Sequence, residues 1–261
     1  MATLTLLQDG LGLASGSLVG FTLGLVGGGG SILAVPLMIY LVGVTDPHVA
    51  IGTSAIAVAA NAAANLATHA RQGTVKWPCA SVFAAAGVAG ALAGSTLGKM
   101  VDGQKLLALF AILMMVVGAL MLRSRTGEGD AGVRLNRGNL PKLLAVGSGA
   151  GALSGFFGIG GGFLIVPGLL AATGMPILNA VGSSLVAVTA FGLTTAGNYA
   201  ASGMLDWVLA ALFIVGGIAG GMVGSRFARI LAGRRGLLNT VFAILIFAVA
   251  GYMLVRSLGV L

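Results

Sequence analysis

Charge is scarce in this sequence. Only 8% of its 261 residues are Asp, Glu, Lys or Arg, against about 25% in a soluble domain. Cysteine is nearly absent. Cys79 stands alone, so an internal disulfide and any CxxC metal or redox motif are excluded. The acids are few as well: Asp9, Asp46, Asp102, Glu128, Asp130 and Asp206, all in loops or at segment edges. The absence of a mid-membrane carboxylate argues against a proton pump or Na⁺/H⁺ exchanger built on buried acids. It also argues against a divalent-metal carrier, which needs oxygen or imidazole ligands along its path. No basic n-region opens the chain, so no cleaved signal peptide is expected.

What is abundant is apolar surface and glycine. Hydrophobic residues make up 57% of the chain and the mean hydropathy is +1.06, which predicts an integral membrane protein whose solvent is the lipid bilayer. The 45 glycines suit close helix packing in lipid, where small residues let backbones approach. The net charge of +8 does not imply nucleic acid, because the basic residues sit in short loops, as the positive-inside rule expects.

Apolar segments run over roughly 10–26, 31–43, 48–70, 77–98 and 104–123, then 143–157, 162–172, 178–200, 207–225 and 237–257. Three in each half are long enough to cross a bilayer, which takes about 20 residues. The halves repeat at an offset of about 130 residues: "GGGGSILAVPL" (27–37) answers "GIGGGFLIVPGL" (158–169), and "AIGTSAIAV" (50–58) answers "AVGSSLVAV" (180–188). Trp77 answers Trp207, the only two tryptophans, while Gly90, Gly94 and Ser95 answer Gly220, Gly224 and Ser225. The expected fold is an all-α polytopic membrane protein: an inverted repeat of two five-segment halves, each starting with a Gly-rich re-entrant or broken helix hairpin. Residues 1–123 form the first repeat, 124–141 a cytoplasmic linker and 142–261 the second repeat. If each hairpin leaves on its face of entry, Arg71, Lys76, Arg123, Arg125, Arg134, Arg137, Lys142, Arg226, Arg229, Arg234 and Arg235 all fall on the linker's side, leaving Lys99, Lys105 and Arg256 opposite. That asymmetry places both termini outside. Parallel repeats are the alternative.

The glycine runs are the expected functional feature. Unpaired backbone at membrane depth is tolerated only inside protein or beside a water-filled cavity. A helix start after each run exposes free N–H groups at the positive end of a dipole, which binds anions without a buried cation. The expected anion donors are Gly28, Gly29, Gly30 and Ser31 at one tip and Gly160, Gly161 and Gly162 at the other. Ser31 is also placed to cap its segment. Ser54, Asn61 and Asn65 share one face of the third segment, and Ser184, Thr195 and Asn198 follow the same face in the second half, with Phe191 where Asn61 stands. Each reading has a plainer rival: helix crossing for the glycines, interhelical hydrogen bonds for the polar residues. His69 reads as interfacial and Cys79 as packing. No catalytic residue, metal or cofactor is expected.

The doubled "GxGGG…VP" motif, Gly27–Ser31 with Val35-Pro36 and Gly158–Gly162 with Val166-Pro167, is followed each time by G-[TS]-S and later by tryptophan. In these motifs the chain resembles the TauE/SafE family of sulfite-exporter-like permeases, also called the toluene sulfonate uptake permease family, over about residues 10–258. The resemblance implies a bacterial inner-membrane protein that moves sulfur-containing oxyanions such as sulfite, sulfoacetate or other organosulfonates. Read together with the repeat, the expectation is a secondary transporter, an exporter, working by alternating access on a small anionic substrate. A permease for another small organic anion and a non-transporting scaffold for a partner enzyme remain open, as does a homo-oligomer.

Overall fold

The structure, a computed structural model, describes residues 6–26, 28–123, 129–130, 132–160, 162–230 and 235–257. All regular structure among them is helical: α1 (Leu6–Val26), a 3₁₀ stretch (Gly28–Leu33), a single α turn α2 (Ala34–Pro36), a π-type stretch (Leu37–Leu41), α3 (Pro47–Arg71), α4 (Trp77–Met100), α5 (Gly103–Arg123), α6 (Leu140–Phe157), α7 (Gly162–Thr173), α8 (Ile177–Ala200), α9 (Trp207–Ile230) and α10 (Arg235–Ser257). Five of the described helices, in α3, α4, α6, α8 and α9, are long and apolar enough to cross a membrane. Trp77 and Trp207 open α4 and α9 and are exposed there, as interfacial anchors are.

Both broken segments are hairpins. Gln8 Nε2 donates to the Val42 carbonyl at 3.4 Å, so the limb 28–41 ends beside the start of α1. The Asp130 N–H donates to the Gly174 carbonyl at 2.9 Å, so α7 ends beside the segment leading into α6. The first return limb is not the plain helix that its apolar pattern suggests. Its glycines start it as a 3₁₀ turn. Pro36 then lacks the N–H that an α-helix needs, and the ladder widens beyond it, with the Val42 N–H reaching the Leu37 carbonyl at 3.0 Å. Ser31 consequently lies inside the 3₁₀ stretch rather than at a cap. The second limb, α7, absorbs Pro167 within a continuous helix.

The hairpins pack across the sequence halves. α1 lies along α9, and a Cβ on Gly16, Gly20 or Gly24 would run into the backbone of Phe213, Gly217 or Gly221. α6 lies along α4 in the same manner, with Gly147, Gly151 and Gly155 against Phe83, Gly87 and Ala91. Residue numbers rise together in both pairs, so each pair runs parallel. Between them α3 and α8 run antiparallel: Gly52 faces Tyr199, Gly192 faces Ala59 and Gly182 faces His69. α5 packs on α10. Exchanging the halves maps each of these pairs onto another or onto itself.

Candidate functional site

The second tip is the better defined. α6 ends at Gly158, whose φ of 67° lies in the left-handed region, as does the 64° of Gly160. Only glycine enters this region without strain, so the chain turns sharply here and α7 begins at Gly162. A Cβ on Gly160 would come within 2.9 Å of Val58 Cγ1 and 3.3 Å of Val188 Cγ1. Val58 and Val188 are equivalent residues near the middles of α3 and α8, so this tip ends between them, deep in the fold. Ser54, one turn before Val58, donates its hydroxyl to the Ile51 carbonyl at 2.9 Å and lies 3.4 Å from the Gly158 carbonyl. Ser184, one turn before Val188, donates to the Val181 carbonyl at 2.8 Å. Gly161 lies outside the described residues.

At the first tip, Gly27 lies outside the described residues, while Gly28 and Gly29 open the 3₁₀ stretch. Gly30 is buried, and a Cβ there would meet the Thr22 carbonyl carbon at 2.6 Å and the backbone of Leu23, so this glycine closes its own hairpin. Ser31 is fully buried. The first limb packs against both α7 and α8, which brings the two Gly-broken segments together.

The polar face of α3 and α8 divides into three parts. Asn61 is fully buried, and neither its Nδ2 nor its Oδ1 has a partner among the described residues; Thr195 Oγ1 is likewise buried and unpartnered. Asn65 donates to the Asn61 carbonyl at 2.9 Å. Asn198 is engaged elsewhere: its Nδ2 donates to Ser95 Oγ at 2.7 Å and Thr96 Oγ1 at 3.0 Å, and its Oδ1 accepts from Lys99 Nζ at 2.8 Å. Asn198 thus ties α8 to α4 toward the end of both helices. His69 Nδ1 lies 2.9 Å from Thr74 Oγ1 in the turn after α3, and Cys79 is buried in the core. Among the described residues no three His, Cys, Asp or Glu side chains lie close enough to hold a metal.

A reciprocal pair of ties was not anticipated from the motifs. Thr53 Oγ1 accepts from the Asp206 N–H at 2.9 Å, and Ser183 Oγ accepts from the Lys76 N–H at 2.9 Å. Thr53 and Ser183 are the middle residues of the two G-[TS]-S motifs, and Lys76 and Asp206 precede the two tryptophans. Each half thus supplies one hydroxyl and one amide, at opposite ends of the α3/α8 pair. The signal was present in the repeat itself: four residues in two matched motifs, whose partnership needs the antiparallel α3/α8 register to be seen.

Residues 12–253 match the family model "Sulfite exporter TauE/SafE". A probable membrane transporter protein of Xylella fastidiosa (strain 9a5c) is 54% identical, over 94% of each chain. The probable membrane transporter protein YunE of Bacillus subtilis is 28% identical over 84% of this chain and 86% of its own. A probable membrane transporter protein of Methanocaldococcus jannaschii, MJ0441, is 28% identical over 64% of this chain. No solved structure matches.

Proposed function

We propose that this chain, which belongs to the sulfite exporter TauE/SafE family, is a secondary transporter that moves a small sulfur-containing oxyanion out of the cell by alternating access. Sulfite, sulfoacetate and other organosulfonates are the cargo class. The anion binds where the two hairpin tips approach α3 and α8, with Gly28, Gly29, Ser31, Gly160, Gly161 and Gly162 as tip donors and Ser54, Ser184, Asn61 and Thr195 as lining. The observation that carries this reading is the packing of the first broken limb on α7 and α8. It brings the two Gly-broken segments together, with Ser54 beside the second. The Asn61 amide and the Thr195 hydroxyl, buried without partners among the described residues, together with helix-start N–H groups, favour an oxyanion. An open cavity at the mouth of the second hairpin, lined by Arg134 and Lys142 against a single acid, Asp130, supports a vestibule that gathers anions.

The repeat is read as inverted. α1 is parallel to α9 and α6 to α4, while α3 opposes α8; short turns oppose α4 to α3 and α9 to α8. α1 and α6 therefore run in opposite senses, as inverted repeats require. With the basic linker inside, both termini lie outside. The moving bodies are not the sequence halves, because the glycine ladders hold each hairpin to a helix of the other half. One body is the first hairpin with α9, the other the second hairpin with α4.

Purified protein in liposomes loaded with sulfite tests the reading. Sulfite efflux above that of protein-free liposomes is expected, and its loss in Ser54→Ala. Flux indistinguishable from protein-free liposomes for sulfite, sulfoacetate and methanesulfonate alike would favour the scaffold.

A further inference from the structure

Asn61 is a fully buried side chain with two unpartnered polar atoms among the described residues. Its amide lies against Gly217 of α9, where a Cβ would run into Asn61 Cγ, Oδ1 and Nδ2. Glycine at 217 therefore makes room for it. The equivalent place in the other half is held by Phe191, which lies over Gly87, the counterpart of Gly217, and stacks on Phe83 with ring centroids 6.4 Å apart. The fold thus accepts an apolar ring at this position. In α3 it instead buries an amide completely, and neither polar atom has a partner among the described residues. A buried amide left unpaired is destabilising, so its retention points to a ligand that completes it. The position fits: Asn61 follows Val58, which touches the Gly160 tip, by three residues, about 4.5 Å along the helix axis.

The chemistry of the amide narrows the ligand. Nδ2 donates and needs an oxyanion oxygen; Oδ1 only accepts and needs a donor. A fully deprotonated sulfonate answers the first atom and leaves the second unpaired. We infer that Asn61 selects cargo bearing an O–H beside an anionic oxygen, a monoprotonated oxyanion such as hydrogensulfite, over sulfonates that carry none. This rests on the tip site proposed above and names its substrate form.

Methylphosphonate monoanion and methanesulfonate have nearly the same shape and charge and differ by one O–H, so they isolate the inference. Thermal unfolding of the full-length protein in detergent is followed with each, and with sulfite, at a mildly acidic pH where methylphosphonate is a monoanion. Methylphosphonate and sulfite should raise the unfolding midpoint at concentrations at least tenfold below those at which methanesulfonate does. Asn61→Leu should match or exceed the wild-type midpoint without ligand and lose that discrimination. Equal responses to methylphosphonate and methanesulfonate in the wild type overturn the inference, and need no variant. So does undiminished discrimination in Asn61→Leu, or in Asn61→Ala should the leucine not fit; a buried water would then complete the amide. In each case binding itself leaves the transport reading standing. If none of the three anions shifts the midpoint and none is moved in liposomes, the tip site falls and the inference with it.

Discussion

At the scale of single residues, composition does not separate a glycine that the fold requires from one that it does not. Gly160 turns the chain, with φ 64° and Val58 Cγ1 2.9 Å from where a Cβ would stand. Gly160→Ala should destabilise by about 1–3 kcal/mol, the usual cost of a non-glycine residue held in a sparsely populated region, read as a fall in the thermal midpoint. Gly197, inside α8, has nothing within 4 Å of its Cβ position. Gly197→Ala should stabilise by up to about 1 kcal/mol, the helix-propensity difference. A fall in midpoint for Gly197→Ala, or none for Gly160→Ala, would contradict the division. Ser54→Ala belongs to a different class. The hydroxyl bonds back to its own helix at Ile51, so stability should change by less than about 1 kcal/mol while efflux falls. Spacing puts Ser54 on the face shared with Asn61 and Asn65, and its hydroxyl lies beside the Gly158 carbonyl. The sequence could not show that Asn198 is tied to Lys99 and Ser95, because no motif marks a contact between residues so distant in sequence.

Among elements, the helices follow closely from the apolar runs, because in lipid a run of about 20 apolar residues has few other forms. The first return limb departs from its pattern. Hydropathy reports burial, but hydrogen-bond register depends on where Pro36 removes a donor and where glycines relax the start. The ladders are half-legible: Gly12, Gly16, Gly20 and Gly24 announce a packing face at four-residue spacing without naming its partner. That partner carries a ladder of its own, since a Cβ on Gly220 or Gly224 would strike the backbone of Ser17 or Phe21, as one on Gly90 or Gly94 would strike that of Ser148 or Ala152. Gly220→Val and Gly90→Val should therefore fail alike, forcing the helices apart in two equivalent places. The expected readout is loss of the monodisperse peak in size-exclusion chromatography, with Gly149→Val, open at its Cβ, as the tolerated control. Normal behaviour of both ladder variants would refute the interlock.

For the whole molecule, the duplication was visible in sequence but the exchange of partners was not. Apolar helices of similar composition carry no code for which neighbour they choose. The exchange matters because it fixes what can move. A body held by a glycine ladder over several turns does not open, whereas the ties at Thr53–Asp206 and Ser183–Lys76 are single hydrogen bonds, each net worth about 0.5–1.5 kcal/mol. They sit at opposite ends of the α3/α8 pair, each joining a central helix to the start of a helix in one interlocked body, and both are made here. Under the alternating access proposed above, one tie is expected to release while the other holds. Cysteine pairs test this cleanly, because Cys79 is the single native thiol and Cys79→Ser removes the background. Oxidative cross-linking of Thr53→Cys with Asp206→Cys should stop efflux, and reduction should restore it; Ser183→Cys with Lys76→Cys should behave the same way. Cross-linking Gly12→Cys with Leu209→Cys, inside one body where the Gly12 Cβ position lies 2.8 Å from the Leu209 side chain, should leave efflux intact. Were the Gly12–Leu209 cross-link to stop transport while either tie, once locked, let it continue, the moving parts would be the sequence halves after all.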